Sequence, residues 1–274
     1  MLARAVHFVI LIAASVVFLY PYVWLLSASV KPRTEVFDNH LIPQHFRFAN
    51  YRELWDYAPL LTWMINSTVV ALAAAISVTI SSSLVAFGFA YFRFPARNLL
   101  FGLVLATMML PGAVTMIPVF LIRNKLGLTG TQVPLWAQNL FGSAFYIFLL
   151  RQFFLGVPRE LFEAARVDGC GFFGLFWRMA LPLARPALII VLIFEVQASW
   201  TDLLKPLIYL QDPQLFTVPR ELKSVFDTYG KAGGEQHWEI IMAASVLATL
   251  PMIIVFALAQ RYILDGIATQ GRQG

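Results

Sequence analysis

The sequence predicts an all-α integral membrane protein with six transmembrane helices. Its composition is 59% hydrophobic and 13% charged, whereas about a quarter of the residues are charged in an ordinary soluble domain. Runs of about 20 mostly apolar residues, the length that a helix needs to cross a bilayer, recur along almost the whole chain. Prolines lie inside several of these runs, which is typical of kinked helices in a membrane bundle.

Six apolar segments define the predicted spans, and three of the five connections between them are polar. The first segment is longer than the apolar region of a secretory signal, which is roughly 7–15 residues, so we expect an uncleaved membrane helix there. All 274 residues are expected to form a single transmembrane domain. The spans are expected at about 7–29, 63–92, 98–122 (interrupted by Pro111 and Pro118), 133–153, 186–208 and 238–264 (with Pro251 inside).

The net charge of +5 suggests a nucleic-acid partner, but the distribution of the charges excludes one. Basic residues form no block and do not alternate with aromatic residues, so we expect positive loops beside lipid headgroups. The single cysteine, Cys170, excludes an intramolecular disulfide. Because the sequence has no phosphate-binding Gly-x-x-x-x-Gly-Lys-Ser/Thr loop, this chain is not expected to hydrolyse ATP. The histidines do not cluster, so no metal site is expected.

The positive charges do not orient the chain in the membrane. Six spans place both termini on one side, but lysines and arginines are divided nearly equally between the two sides. The positive-inside rule counts these residues and therefore does not decide the orientation. The acidic residues lie mostly on the side away from the termini, which agrees with cytoplasmic termini.

The connection at about 154–185 has the pattern of two short helices joined by a tight corner. Pro158 is a good first helical residue, and Glu160 suits the positive end of a helix dipole. Gly169 can end the first helix in a left-handed conformation. A second amphipathic stretch runs from Phe172 to Leu181 and is stopped by Pro182. Such a rigid projection at the membrane surface could dock into a groove of another protein.

Within this connection, a spaced motif is similar to the coupling loop of ABC importer permeases. The family pattern is Glu-Ala-Ala, three residues, Gly, nine residues, then Ile-x-Leu-Pro. This sequence has Glu163-Ala164-Ala165, then Arg166 and Asp168 before Gly169, and finally Met179-Ala180-Leu181-Pro182. Met179 in place of Ile is the only departure, and it is an apolar exchange.

Other segments resemble the carbohydrate-type branch of that family, which includes the maltose and glycerol-phosphate importers. The resemblance covers residues 7–266, with two departures: Thr201 stands where the family usually has Asn, and the C-terminal residues differ from the usual tail. The similar segments are Asn66-Ser67, Ala90 to Arg93, Trp200-x-Asp202, Pro206-Leu207, Ser245 to Pro251 and Gln260 to Tyr262.

The resemblance implies the type I ABC importer permease fold, a location in the prokaryotic cytoplasmic membrane, and cytoplasmic termini. The implied partners are a second homologous permease, two copies of a cytoplasmic ATPase that binds ATP and Mg, an extracytoplasmic solute-binding protein, and membrane lipid. In the family, the position of Glu163 pairs with a basic residue of the ATPase. Small Ala164 and Ala165 let the helix enter the ATPase groove, and Gly169 makes the corner.

Polar side chains within spans are costly and often functional, so they are candidates for a substrate pathway. Aromatic rings stack on the apolar faces of sugars, while amides and carboxylates bind hydroxyls. Hydrogen bonding between helices is the competing explanation, and such bonds contribute about 1 kcal/mol or less each. Gln138 and Glu195 belong to the polar set, and the predicted pathway residues are Asn66, Asn139, Tyr146, Gln197, Trp200 and Asp202.

The sequence leaves several alternatives open. Import of glycerol-phosphate or a related phosphodiester shares every motif named above. A membrane-embedded enzyme would need clustered acids at one depth, for which Glu195 and Asp202 are the only candidates. A passive channel would leave the docking loop without a purpose.

Overall fold

The computed structural model describes residues 2–57, 59–229 and 237–270, and in these residues it contains helices and no β-strand. Side chains are not described for 2, 3, 5, 57, 228, 229 and 261–270. The last four residues of the unusual C-terminal tail lie outside the described residues. The α-helices are α1 (Leu2–Ser29), α2 (Ala49–Tyr57), α3 (Leu60–Tyr91), α4 (Arg97–Thr107), α5 (Gly112–Lys125), α6 (Val133–Trp136), α7 (Ala144–Leu155), α8 (Arg159–Val167), α9 (Phe172–Gly174), α10 (Leu181–Leu183), α11 (Arg185–Trp200), α12 (Leu204–Tyr209), α13 (Val218–Tyr229) and α14 (Trp238–Gln270).

The described helices provide four to six candidate membrane spans. Four stretches are long and apolar enough to cross a bilayer: Val6–Ser29, Leu60–Tyr91, Val133–Leu155 and Trp238–Gln260. Two bent helix pairs, α4 with α5 and α9–α10 with α11, raise the number to six if each pair forms one span. The predicted count of six is the upper end of this range.

The predicted third span is two helices that meet at an angle of 95°. Pro111 lies at this break, with an extended backbone (φ −60°, ψ 131°), and α5 begins at the next residue. Since proline has no backbone N–H and disfavours a helical conformation at the preceding residue, it starts a helix more easily than it continues one. Pro118 lies inside α5 without ending it.

The predicted fourth and fifth spans are also interrupted. A 3₁₀ segment, Ala137–Phe141, separates α6 from α7, and Gly142 follows it with φ +82°. α11 ends at Trp200, and the chain restarts as α12 after Asp202, whose Oδ1 accepts a hydrogen bond from the Lys205 N–H at 3.3 Å. These breaks place polar side chains where the helical backbone stops.

The chain divides into two compact units: Met1–Met64 with Val218–Ile253, and Ile65–Thr217 with Ile254–Gly274. The second unit holds a core in which α3, α7, α8 and α11 meet. Between membrane helices, such packing stabilises the fold through van der Waals contacts. Its largest buried side chains are Phe87, Phe101, Tyr146, Ile147, Leu150, Phe154, Phe162, Leu175 and Phe176.

In the first unit, the connection after α1 is fixed to the end of that helix. The ammonium of Lys31 is fully buried and pairs with the Asp38 carboxylate at 2.5 Å. The hydrogen bond from Lys31 lowers the pKa of Asp38. The buried amide of Asn50 donates to the carbonyls of Ser29 and Lys31, each at 2.9 Å. The connection predicted from its polar composition is therefore an ordered cap on α1.

Candidate functional site

The coupling motif predicted from the sequence forms a short surface helix, α8, as expected. Pro158 precedes it in an extended conformation, and Glu160 lies in its first turn. Arg166 lies in its last turn. Both charges therefore complement the helix dipole.

Gly169 ends α8 in the left-handed conformation, with φ +85°. The Cys170 N–H donates to the Ala165 carbonyl at 2.9 Å, and the Gly169 N–H donates to the Arg166 carbonyl at 3.0 Å. This pair of bonds is the Schellman motif, which satisfies the last carbonyls of a helix. A Cβ at position 169 would meet no atom within 4 Å, so the requirement for glycine comes from the backbone angle and not from space.

A buried aromatic side chain, that of Phe162, anchors α8 to the rest of its unit. The Phe162 ring is 3% exposed, and its centroid lies 5.9 Å from that of Phe87 and 5.5 Å from that of Tyr91. Both partners belong to the last turns of α3. This short helix is therefore joined directly to the end of a candidate membrane span.

The opposite face of α8 is open. Glu163 and Ala164 are exposed, Ala165 is half-buried, and Asp168 is exposed. Val167 is 88% exposed, an apolar side chain with no cover in the described part of the chain. The motif residues Glu163 and Ala164 thus lie on a surface that a partner could contact.

The second half of the connection is helical, as predicted, but two details differ. Leu175–Ala180 form a π-helical turn between α9 and α10, and Pro182 lies inside α10 instead of ending the stretch. Leu175 and Phe176 are buried, whereas Leu181 is half-buried and Pro182 is exposed. The Arg166 guanidinium lies 4.8 Å from the Phe172 ring centroid, which ties the two halves of the loop together.

Two predicted pathway residues, Asn139 and Tyr146, meet at a third residue, Glu195. The buried Asn139 amide donates to the Glu195 carboxylate, and Tyr146 makes a side-chain hydrogen bond with the same carboxylate. Ser81 on α3 donates to the Asn139 carbonyl at 3.0 Å. The cluster joins α3, α7 and α11 at the break that precedes α7. Glu195 is one of the polar residues within the predicted spans. The spacing of residues along the sequence does not predict that its carboxylate contacts both Asn139 and Tyr146.

The other predicted pathway residues have separate surroundings. The Asn66 amide donates to the carbonyls of Gln214 at 2.7 Å and Phe216 at 3.0 Å. Asp202 pairs with Lys205 at 3.0 Å. Gln197 is exposed, and Trp200 is buried.

A polar cluster around Arg123 was not predicted. Its guanidinium donates to the Tyr209 hydroxyl at 3.2 Å and to the Gln138 amide oxygen at 3.0 Å. It also lies 5.2 Å from the Tyr209 ring centroid. The feature of the sequence that could have indicated this cluster is the position of Arg123 directly after the apolar segment at about 98–122. Among the described residues, no group of three or more His, Cys, Asp or Glu could hold a metal ion.

Residues 81–268 match the family described as "binding-protein-dependent transport system inner membrane component". The chain belongs to this family. It is therefore a membrane permease subunit of an ABC transporter, as the coupling motif indicated.

Two curated relatives match nearly the whole permease. It is 34% identical over 269 residues to the arabinooligosaccharides transport system permease protein AraQ of Bacillus subtilis (strain 168), covering 95% of this chain and 92% of that protein. It is 33% identical over 272 residues to the sn-glycerol-3-phosphate transport system permease protein UgpE of Yersinia pestis bv. Antiqua (strain Antiqua), covering 94% of each.

A solved structure supports the fold of the permease. A chain of a bacterial ABC transporter that imports the acidic polysaccharide alginate superposes with a TM-score of 0.84 at 22% identity, covering 95% of this chain and 96% of that one. A chain from a bacterial alginate ABC transporter in complex with a pentasaccharide-bound periplasmic protein gives a TM-score of 0.62 at 12% identity. The permease therefore has the type I ABC importer fold that the resemblance implied.

Proposed function

We propose that this permease carries a carbohydrate across the cytoplasmic membrane by alternating access, driven by ATP hydrolysis in partner subunits. The complex contains a second homologous permease, two copies of a cytoplasmic ATPase that bind ATP and Mg, and an extracytoplasmic solute-binding protein. The permease itself has no catalytic role. Its spans present the solute pathway alternately to the two sides of the membrane.

The observation that carries this proposal is the form of α8. Its exposed face holds Glu163 and Ala164, its buried face holds Phe162, and its end is fixed by Gly169. A projection that is rigid and joined to α3 can transmit the closure of an ATPase dimer to the membrane helices. Coupling requires such a contact to differ in free energy between the two states.

The proposed orientation follows from the same helix. An ATPase partner is cytoplasmic, so the connection that carries α8 faces the cytoplasm. An even number of spans then places both termini on that side. The polar connections that precede α3 and α14 face outward, where a solute-binding protein docks.

A carbohydrate is the proposed solute. AraQ is named for arabinooligosaccharides, and the similar solved structure belongs to an importer of the acidic polysaccharide alginate. The six pathway residues include amides, a phenol and an indole, which suit hydroxyls and sugar faces. The sn-glycerol-3-phosphate named for UgpE is the alternative solute.

Uptake by the complete reconstituted transporter tests the proposal. Proteoliposomes containing both permeases, the ATPase and the binding protein would be supplied with labelled arabino-oligosaccharide or labelled sn-glycerol-3-phosphate. We expect ATP-dependent uptake of the oligosaccharide, and none when a non-hydrolysable ATP analogue replaces ATP. Uptake of glycerol-phosphate alone would favour the phosphodiester alternative, and uptake without ATP would contradict the proposed energy source.

A further inference from the structure

The turn between α3 and α4 forms an open cleft of about 380 Å³. Of the residues that line it, only Arg93 belongs to a segment of the family resemblance, Ala90 to Arg93, and that resemblance assigns the cleft no role. The residues that line it are Arg93, Phe94, Ala96, Arg97, Asn98 and Leu99.

The cleft carries positive charge that the described residues do not neutralise. Arg93 is exposed and Arg97 is half-buried, and neither pairs with a carboxylate in the described part of the chain. Arg97 makes one long hydrogen bond, at 3.4 Å, to the Phe92 carbonyl. The nearby guanidinium of Arg151 is not part of the lining and lies 4.1 Å from the Phe101 ring centroid.

The backbone of the turn adds to the positive potential. Ala96 is held in the left-handed conformation (φ 57°, ψ 13°) directly before α4, and no side chain caps the first N–H groups of that helix. Left-handed residues next to helix N-termini form concave surfaces of N–H groups that attract anions. Two arginine side chains and this helix end therefore border the same cleft.

An apolar surface begins where the cleft ends. Leu99 is 67% exposed and Leu103 is 56% exposed, and residues four apart lie on the same face of a helix. A polar cleft followed by an apolar helix face is complementary to an amphiphile with a charged head and an alkyl tail. A free inorganic anion would contact only the cleft.

We propose that this cleft binds the anionic phosphodiester headgroup of a membrane phospholipid, with an acyl chain along the Leu99 and Leu103 face of α4. Basic pockets beside membrane helices on the cytoplasmic side bind anionic headgroups in this way. The conclusion that this lipid lies in the cytoplasmic leaflet rests on the proposed function, whereas the conclusion that the cleft binds a lipid does not.

Native mass spectrometry of the purified complete transporter tests the proposal with phosphatidylglycerol as the probe. Retention of phosphatidylglycerol would be compared between the unchanged protein and the double variant Arg93→Gln/Arg97→Gln. Each arginine near an anionic lipid surface strengthens binding by roughly fivefold, so we expect the double variant to bind about 25-fold more weakly. Arg93→Lys/Arg97→Lys, which keeps both charges, should retain most of the binding.

A matched control separates this cleft from general charge effects. Arg178→Gln/Arg185→Gln removes two exposed arginines from the neighbouring connection and should leave retention unchanged. An equal loss in both double variants would overturn the proposal. Equal retention of phosphatidylcholine would also overturn it, because the cleft would then have no preference for an anionic headgroup. Displacement of the lipid by millimolar inorganic phosphate would do the same, because the cleft would then bind an anion without the acyl chain.

Discussion

Glu163 is exposed on α8, so its charge can be removed with little effect on folding. Exposed substitutions usually change the free energy of unfolding by no more than about 0.5 kcal/mol. In a docked complex the same change would leave a basic ATPase side chain unpaired, and truncating one side of a buried charge pair costs about 2–5 kcal/mol.

Glu163→Ala is therefore expected to reduce ATP-driven uptake and ATPase co-purification while the permease remains in the membrane. Glu160→Ala is the matched control, because Glu160 is an exposed acid on the same helix but outside the motif. Uptake and co-purification measured on both variants decide the outcome. Normal values for Glu163→Ala would contradict the coupling role of this residue.

The role of Gly169 depends on its left-handed backbone conformation, which ends α8. Replacing it with Ala adds a methyl group that meets no neighbour, so the expected cost is that of a left-handed alanine, about 1–2 kcal/mol. Val, with its branched side chain, should cost more and misdirect α8 further. We expect Gly169→Ala to weaken coupling and Gly169→Val to abolish it.

Gly171 provides the comparison for Gly169. It has φ −68°, and a methyl group added to its Cα would also meet no neighbour, so Gly171→Ala should preserve uptake. The ratio of uptake to ATP hydrolysis in proteoliposomes is the appropriate measurement. If both alanine variants behaved alike, the left-handed corner would not be what coupling requires.

At the scale of the element, the attachment of α8 to α3 depends on Phe162. Truncating a buried phenylalanine costs about 3–5 kcal/mol, and here the loss falls on the contacts with Phe87 and Tyr91. Phe162→Ala should leave the spans assembled but free α8 from α3.

Limited proteolysis of the connection, together with uptake, would measure that release. We expect faster cleavage near α8 and lower uptake in Phe162→Ala. Phe173→Ala is the control, because Phe173 is 72% exposed. Equal cleavage rates in the two variants would show that Phe162 does not hold the helix.

The elements that the sequence predicts best are those with a local cause. The bounds of α8 follow from Pro158 and Gly169, whose backbone preferences act within one turn. The fold followed from apolar runs together with the spacing from Glu163 to Pro182. These signals do not depend on distant contacts.

The elements that the sequence does not predict depend on tertiary contacts. The π-helical turn at Leu175–Ala180 has the same apolar residues that an α-helix would bury, so periodicity does not reveal it. The break before α7 is satisfied by Ser81 and Ser82 of α3, which lie far away in sequence. Of the predicted pathway residues, Asn139 and Tyr146 both contact the Glu195 carboxylate. These contacts depend on the packing of α7 on α11.

At the scale of the whole molecule, Pro251 lies inside α14, two residues before the point where the helix passes from the first compact unit to the second. Proline removes a helical hydrogen bond and allows a kink. We expect Pro251→Ala to alter transport more than assembly, because alternating access requires helices to bend between states.

Recovery of the complete complex and the rate of uptake distinguish the two effects of Pro251→Ala. Pro118→Ala is a useful comparison, since Pro118 also lies within a continuous helix, α5. A parallel fall in complex recovery and uptake for Pro251→Ala would indicate that the kink only supports packing.

The interrupted stretch Val133–Leu155 affects how the protein is made. Its mean hydropathy is 1.3, against 2.1 for Leu60–Tyr91 and 2.5 for Trp238–Gln260. At its break, the Asn139 carbonyl accepts from Ser81, and the Ser143 N–H donates to the Ser82 hydroxyl at 3.1 Å. Unsatisfied backbone groups are costly in hydrocarbon, so contact with α3 favours the entry of this stretch into the bilayer. We therefore expect its membrane insertion during synthesis to be a cooperative step that involves α3.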